Sequence, residues 1–412
     1  MNNQKVELLS PAGNLEKLKI AIKYGADAVY AGVSHFSLRI RAGKEFTFET
    51  FKEGIDYAHA RGKKVYATIN GFPFNSQIEL LKKHIATMAA LEPDGFIVAA
   101  PGVVKLCREI APQIDIHLST QANVLNYLDA QVFWDMGVKR IVVAREISLK
   151  DVIEIKKHLP DMEIEIFVHG SMCFAYSGRC LVSAVQMGRV PNRGSCANDC
   201  RFEYTLYAAN EDHSTLFRLE EEPGVGTYIF NSKDMNLASH IKEILDSGAV
   251  DSLKIEGRTK SPYYAAVTAK AYRNAIDDYY DGKFEASKYQ RELYTTKNRG
   301  FTDAYLIHRP FEKTDSQNHD YALSKGSYEV TGLVTQDEEH FLCKYKVYPN
   351  EDIEIFTPMG EELVECENEI GKIFKKDGIY YINFKKILTE TNKELESVHS
   401  GNVNKIKLPG IL

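Results

Sequence analysis

No apolar run in this chain approaches the ~18 residues that a membrane span needs. The opening residues, MNNQKVELLSPAG, contain neither the apolar segment nor the cleavage pattern of a secretory leader. A cytoplasmic protein without a membrane partner is therefore expected. Cysteine is scarce, seven in 412 residues. An odd total argues against a closed disulfide framework, and in a reducing compartment clustered thiols point to metal binding or catalysis. Charge imbalance is also slight, with 51 Lys and Arg against 57 Asp and Glu for a net charge of -6. That balance does not announce a nucleic-acid binder, but it leaves room for a local basic face. The H-E-x-x-H helix of zinc proteases, the G-x-S-x-G elbow and the P-loop are all absent, and PGVGTY (223–228) lacks the spacing of a dinucleotide fingerprint.

What is present is a rhythm. Short β-branched runs alternate with amphipathic ones: VELLS (6–10), AVYAG (28–32), KVYATI (64–69), GFIVAA (95–100), DIHLST (115–120), RIVVAR (140–145), EIEIFVH (163–169) and SLKIEG (252–257). Between them, runs such as 14–25, 46–62, 77–93 and 127–137 carry apolar residues at helical spacing, and Gly25, Gly62 and Gly137 stop three of them. Eight strands, most followed by a helix, predict a (β/α)8 barrel over residues 1–283 rather than an open doubly wound sheet. One interval, 170–250, is too long for a bare loop and reads as an insertion after strand seven. It contains strand-like pieces at 202–209 and 226–231 and a helical run at 235–248. Residues 284–326 look irregular and read as a connecting segment, and 327–412 alternate as a small β-barrel-like domain.

Four of the seven cysteines, Cys173, Cys180, Cys196 and Cys200, fall within 28 residues of the insertion, just past a barrel strand's C-terminal end. In this architecture that end is the catalytic face. The spacing C-x6-C-x15-C-x3-C has one tight knuckle where a four-thiolate Zn site usually has two, whereas a [4Fe–4S] cluster is wider and tolerates irregular spacing. Both remain open on spacing, beside the plainer reading of unrelated buried thiols. Cys107, Cys343 and Cys366 read as core residues.

The other strand ends carry a polar set: Asn70, Gln121, Arg145 with Glu146, His169, and Lys254, Glu256 and Arg258 in KIEGR. Singly, each has a structural explanation: a turn for Asn70, a rim pair for Arg145 and Glu146, a satisfied core residue for His169. Lys254 and Glu256 share one side of their strand and are expected to neutralise each other. Together they suggest a polar pocket in which Arg145 and Arg258 clamp a small anionic metabolite.

ELLSPAG near the start, GADAVYAG (25–32), STQ (119–121), ARE (144–146), HGSMCFAYSGRC (169–180), GSCANDCR (194–201), NSKDM (231–235) and KIEGR (254–258) together resemble the U32 family, first labelled "peptidase" or "collagenase-like protease". The resemblance spans the barrel and extends into the β domain. Within the family the chain is most similar to the tRNA hydroxylation branch, whose members are needed to make 5-hydroxyuridine at the tRNA wobble position and require prephenate. Related branches act in rRNA cytidine hydroxylation and in oxygen-independent ubiquinone hydroxylation, the last with a [4Fe–4S] cluster on four cysteines. The resemblance implies that Cys173, Cys180, Cys196 and Cys200 ligate such a cluster and that tRNA is the partner. It indicates no electron donor or partner protein, and it assigns no further catalytic residue.

This implication suits the chemistry. Hydroxylating a uracil carbon needs a redox centre, which Zn is not. Prephenate's two carboxylates suit arginines, and an unstacked wobble base suits aromatics such as Phe174 and Tyr176, which otherwise read as packing beside a cluster. Three basic patches are candidates for backbone contacts: 372–386, the set Arg189, Arg193 and Arg201, and the pair Lys297 and Arg299. Two rival readings stand beside this one. A peptidase would use a thiol beside His169, and an iron–sulfur hydroxylase would act on another RNA or a small molecule.

Overall fold

The computed structural model describes residues 5–33, 36–38, 46–209, 216–218, 230–308, 316–318, 321, 326–335, 337–400 and 405–410. The strand piece expected at 226–231 lies outside the described residues except for Phe230 and Asn231. Two compact units divide the chain, Met1–Gly326 and Ser327–Leu412.

In chain order the first unit begins β1 (Glu7–Pro11), α1 (Leu15–Lys23), β2 (Ala28–Ala31), α2 (Phe48–His59), β3 (Lys64–Ile69), α3 (Ile78–Ala89), β4 (Gly95–Val98) and α4 (Pro101–Ile110). It continues through β5 (Asp115–Leu118), α5 (Tyr127–Asp135), β6 (Arg140–Val142), α6 (Leu149–His158) and β7 (Glu163–Ser171). The insertion then holds α7 (Val182–Met187), the hairpin β8 (Tyr207–Ala209) and β9 (Leu216–Arg218), β10 (Asp234–Asn236) and α8 (Ile241–Asp246). The unit ends with β11 (Ser252–Ile255), α9 (Pro262–Tyr280), α10 (Ala286–Leu293), β12 (Phe301–Thr302) and α11 (Ala304–Ile307). Strands β1 to β7 run parallel in sequence order, and β11 closes the ring by pairing in parallel with both β1 and β7. This is the expected (β/α)8 barrel.

Both faces of each strand are covered, so the runs read as nearly continuous apolar segments. One face packs on the helices: Leu8, Val29, Val65, Phe96, Ile116, Ile141, Ile164 and Leu253 belong to that layer. The other points into the barrel, where Leu9, Ala28, Tyr30, Tyr66 and Ile97 form a separate cluster. Gly25, Gly62 and Gly137 take positive φ just past α1, α2 and α5, as a residue without Cβ does there.

Two expectations are corrected. The run 235–248 is not one helix, because Met235 pairs antiparallel with Gly170 on the part of β7 that outruns the barrel, and helix resumes only in α8. This tertiary pairing overrides the local pattern. Residues 284–326 are also more regular than their sequence suggests: α10 packs on α9, and β12 pairs with β10. Helix α10 buries only Tyr289 and Leu293, too few to give a periodic signal.

In the second unit, β13 (Gly332–Val334), β14 (His340–Cys343), β15 (Asp352–Ile355), β16 (Cys366–Glu367), β17 (Gly371–Lys376), β18 (Ile379–Phe384), β19 (Ile387–Leu388), β20 (Glu394–Leu395) and β21 (Lys405–Lys407) form small antiparallel sheets. Their shared core includes Phe341, Val347, Ile373, Ile382, Phe384 and Ile406.

Candidate functional site

The barrel floor is charged. Arg140 on β6 is nearly fully buried and reaches Glu7 on β1 (2.5 Å) and both Glu163 (2.6 Å) and Glu165 (3.2 Å) on β7. Glu165 is fully buried and also pairs with Lys254 of β11, at 2.6 Å. Tyr66 and Ser252 donate to Glu7 at 2.6 and 2.9 Å. Burial disfavours the Glu7 carboxylate, yet Arg140 and these hydrogen bonds hold its pKa below the ordinary value. His117 faces the same interior, its ring 4.5 Å from that of Tyr66, and burial followed by the nearby cations keeps it neutral, far below its usual pKa.

Above the floor lies a cavity of about 420 Å3, lined by residues from the strand ends and from the cysteine loop. Asn70, Gln121, Arg145, Lys254, Glu256, Arg258 and all four clustered cysteines contribute to its wall. Lys254 and Glu256 both face inward as expected, but they do not pair with each other. Lys254 is taken by Glu165, and Glu256 stands 3.7 Å from Arg145 while accepting from Tyr30 Oη at 3.3 Å. Arg145 lies flat on Phe167, its guanidinium carbon 3.8 Å from the ring centre. Arg258 is engaged with the loop above β2: it donates to Ser37 Oγ (2.7 Å), Thr68 Oγ1 (3.2 Å) and the Leu38 carbonyl. Asn70 accepts from Leu38 N at 3.1 Å in the same corner. The expected clamp of two arginines thus reduces to Arg145, with Arg258 and Asn70 shaping the wall.

Glu146 and His169 do not line the cavity. Glu146 accepts from the Ser177 backbone N–H at 3.0 Å and from its hydroxyl, so it ties the cysteine loop to the end of β6. His169 is buried among Tyr264, Tyr272 and Phe301. Burial lowers its pKa to about 3, so the ring is neutral, and it forms no dyad with a thiol at the cavity wall. The packing explanation, not the catalytic one, fits this residue.

The loop itself closes over the mouth. Gly178 adopts φ +74°, and a Cβ there would come within 2.8 Å of the Gln121 carbonyl, so the chain crosses the end of β5 at a distance that only glycine permits. On the opposite side Phe72 N donates to Asn192 O (3.3 Å), and Arg193 covers Phe74 and donates to Gln77. Arg189 braces the loop through the carbonyls of Ser195 and Cys196. Within the loop, Asn198 N donates to Cys196 Sγ at 3.4 Å, and buried Asp199 accepts from the Ser183 hydroxyl. Burial raises the Cys200 pKa, Arg201 opposes that, and the charges of Cys173, Cys196 and Cys180 add to the rise, so the four sulfurs share one electrostatic environment. Among the described residues, no three His, Cys, Asp or Glu side chains converge as a single-ion site requires.

The remaining residues separate clearly. Phe174 and Tyr176 are about half exposed, and Phe174 leans on Phe230 (4.6 Å). Arg299 is not a surface contact, because it is buried on Asp234 at 2.5 Å, whereas Lys297 is exposed. In 372–386, Lys372, Phe374 and Tyr381 share one face of the sheet, with Phe374 stacked on Tyr381. Cys107 is buried, its thiol pushed up to about 12, and Cys343 is also buried. Sequence reasoning missed Arg140, Glu165 and Glu7. Their signal was a charged residue inside runs expected to be buried strands: Glu7 in β1, Arg140 in β6 and Glu165 in β7.

These features define a (β/α)8-barrel protein whose C-terminal mouth is capped by a thiol-bearing loop. The chain belongs to peptidase family U32, whose pattern matches residues 13–316. It is 65% identical over 408 residues to tRNA hydroxylation protein P of Helicobacter pylori (strain ATCC 700392 / 26695), covering 99% of this chain and 97% of that protein. The protein of the same name from Escherichia coli (strain K12) is 39% identical over 413 residues, with 89% and 90% covered. The 23S rRNA 5-hydroxycytidine C2501 synthase of the same bacterium is 33% identical over 277 residues, covering 67% of this chain and 40% of that enzyme.

Proposed function

We propose that this protein is a tRNA-hydroxylating enzyme that forms 5-hydroxyuridine at the wobble position, uses prephenate, and holds a [4Fe–4S] cluster on Cys173, Cys180, Cys196 and Cys200. The observation that carries the reading is the convergence of all four thiols on one cavity at the catalytic face of the barrel. The near full-length likeness to proteins named for tRNA hydroxylation supports tRNA as the substrate class. Four thiolates around one ion must all lie about 2.3 Å from it. A cubane would instead take one thiolate at each of its irons, which suits four cysteines spread along the wall of one cavity. Arg201 and the Asn198 N–H supply positive charge and hydrogen bonding to such a centre. Bound there, the cluster supplies one-electron chemistry.

The chain's own residues do the rest. Arg145, fixed on Phe167, holds a carboxylate of the small metabolite. Glu146 and Gly178 seat the loop so that its thiols face the cavity. Tyr176 and Phe174 offer stacking surfaces to a base splayed from a single-stranded loop.

Deleting the gene and measuring tRNA nucleosides by mass spectrometry tests the activity. Loss of 5-hydroxyuridine, restored by the wild-type gene and not by Cys196→Ala, is expected. Unchanged 5-hydroxyuridine after deletion overturns the reading. In protein purified without oxygen, the same variant loses a content of about four irons and four sulfides per chain.

A further inference from the structure

Among the described residues, Lys254 is the one lysine in the wall of the cavity. It is 4% exposed, and the rings of Tyr30 and Phe167 lie 4.4 and 5.6 Å from its Nζ. A lysine placed against aromatic walls loses hydration, which disfavours its charged form and makes the amine a nucleophile. Its pKa is lowered by burial, against the pull of Glu165. The proton has a receiver: Glu165 Oε1 is 2.6 Å away. Arg140, 3.2 Å from Glu165, also holds Glu7 and Glu163, so a proton on Glu165 does not leave that buried guanidinium unpaired. A guanidinium stands on the same aromatic floor. Arg145 covers Phe167 at 3.8 Å, and among the described residues it donates no hydrogen bond, with Glu256 3.7 Å away. Arg258, in contrast, is engaged with Ser37, Thr68 and Leu38.

An amine that attacks a carbonyl, beside a guanidinium that grips a carboxylate, recognises one chemical class. We propose that Lys254 is an imine-forming lysine that captures a 2-oxo acid in this cavity, with Arg145 binding the carboxylate next to the carbonyl. The Nζ lone pair adds to the carbonyl carbon, and a proton passes from nitrogen through Glu165 to the oxygen. Water then leaves as the C=N bond forms, with no oxidant or reductant consumed. This deepens the proposed function by giving the small anionic metabolite of that cavity a covalent anchor, and it rests on the cavity being the reaction site.

The test is reductive trapping. Full-length protein is incubated with pyruvate or phenylpyruvate and cyanoborohydride, digested, and the peptide containing Lys254 is read by mass spectrometry. A reduced adduct concentrated on Lys254 is expected, absent in Lys254→Arg and not formed with acetone, which has the carbonyl and lacks the carboxylate. Arg145→Gln keeps the lysine and avoids any doubt about the folding of the first variant; its adduct yield at sub-saturating oxo acid falls about tenfold, as loss of a charge-assisted hydrogen bond implies. No adduct at Lys254, or the same yield there as on surface lysines, overturns the proposal. Trapping at Lys254 in a protein whose gene deletion leaves tRNA unchanged supports the imine and moves the chemistry to another acceptor. Loss of 5-hydroxyuridine on deletion without trapping keeps the tRNA reading and removes the imine.

Discussion

The floor of the barrel and the loop over its mouth are built on opposite principles. In the floor, Glu7, Arg140, Glu165 and Lys254 come from four strands and satisfy one another with little exposure to solvent. Their positions are fixed by the barrel, and each charge depends on the next. The loop is held at a few points, Glu146 to Ser177, Phe72 to Asn192 and Arg193 to Gln77, and it leaves Leu181, Val185 and Met187 in solvent. A rigid charged floor suits positioning of a small substrate. A loosely pinned loop suits thiols that, under the function proposed above, would close around a cluster.

The sharpest way to break the comparison is to remove a charge from the floor. Glu165→Gln leaves the Lys254 ammonium without its counter-ion and takes one of three carboxylates from Arg140. Such a loss in a buried network costs about 3–5 kcal/mol. Urea unfolding of this variant, of Lys254→Met and of the double variant forms a cycle, and the double variant is expected to recover part of the loss. A cost below about 1 kcal/mol for Glu165→Gln would show that Lys254 does not rely on Glu165 for a counter-ion.

The same contrast explains what the sequence disclosed. The barrel was legible because VELLS, KVYATI and EIEIFVH are buried on both faces and repeat with helices between them. The thiols were legible as a set because four cysteines stand in 28 residues. Partnerships were not. Lys254 and Glu256 are two residues apart, at and just past the end of β11, and their partners, Glu165 and Arg145, come from distant parts of the chain. Only barrel closure reveals which residues meet. Arg299 looked like surface charge for the same reason, since Asp234 lies 65 residues earlier. His169 shared the polar strand-end pattern, but β7 runs on past it and buries it under β10 and α9.

A second prediction uses that burial. His169 stays neutral until about pH 3, whereas an unfolded histidine takes up a proton near 6.5. Its folded pKa is depressed, so below 6.5 the unfolded state binds the extra proton and stability falls as pH drops; above 6.5 the term is constant. The slope is about 1.4 kcal/mol per pH unit for one such residue. Buried His117, shifted in the same direction, adds to it in the upper part of this range. Denaturant titrations from pH 7 to 4 should therefore show a slope that His169→Asn reduces by one proton's worth. A variant with an unaltered slope would mean that the ring already carries its charge in the folded barrel.

The smallest effect belongs to the loop. Glu146→Ala removes the acceptor of the Ser177 N–H and hydroxyl, and Ser177 is itself buried with Thr120 Oγ1 3.5 Å away. An unsatisfied buried donor costs about 1–3 kcal/mol. The loop can open locally, so the loss is confined there and global unfolding moves little. Hydrogen exchange separates the two cases: amides of 172–201 should exchange faster in the variant, while those of β1 and β6 keep wild-type protection. Equal acceleration in the barrel strands would make Glu146 part of the floor's cooperative unit, and the division between a self-satisfied floor and a pinned loop would fail at that residue.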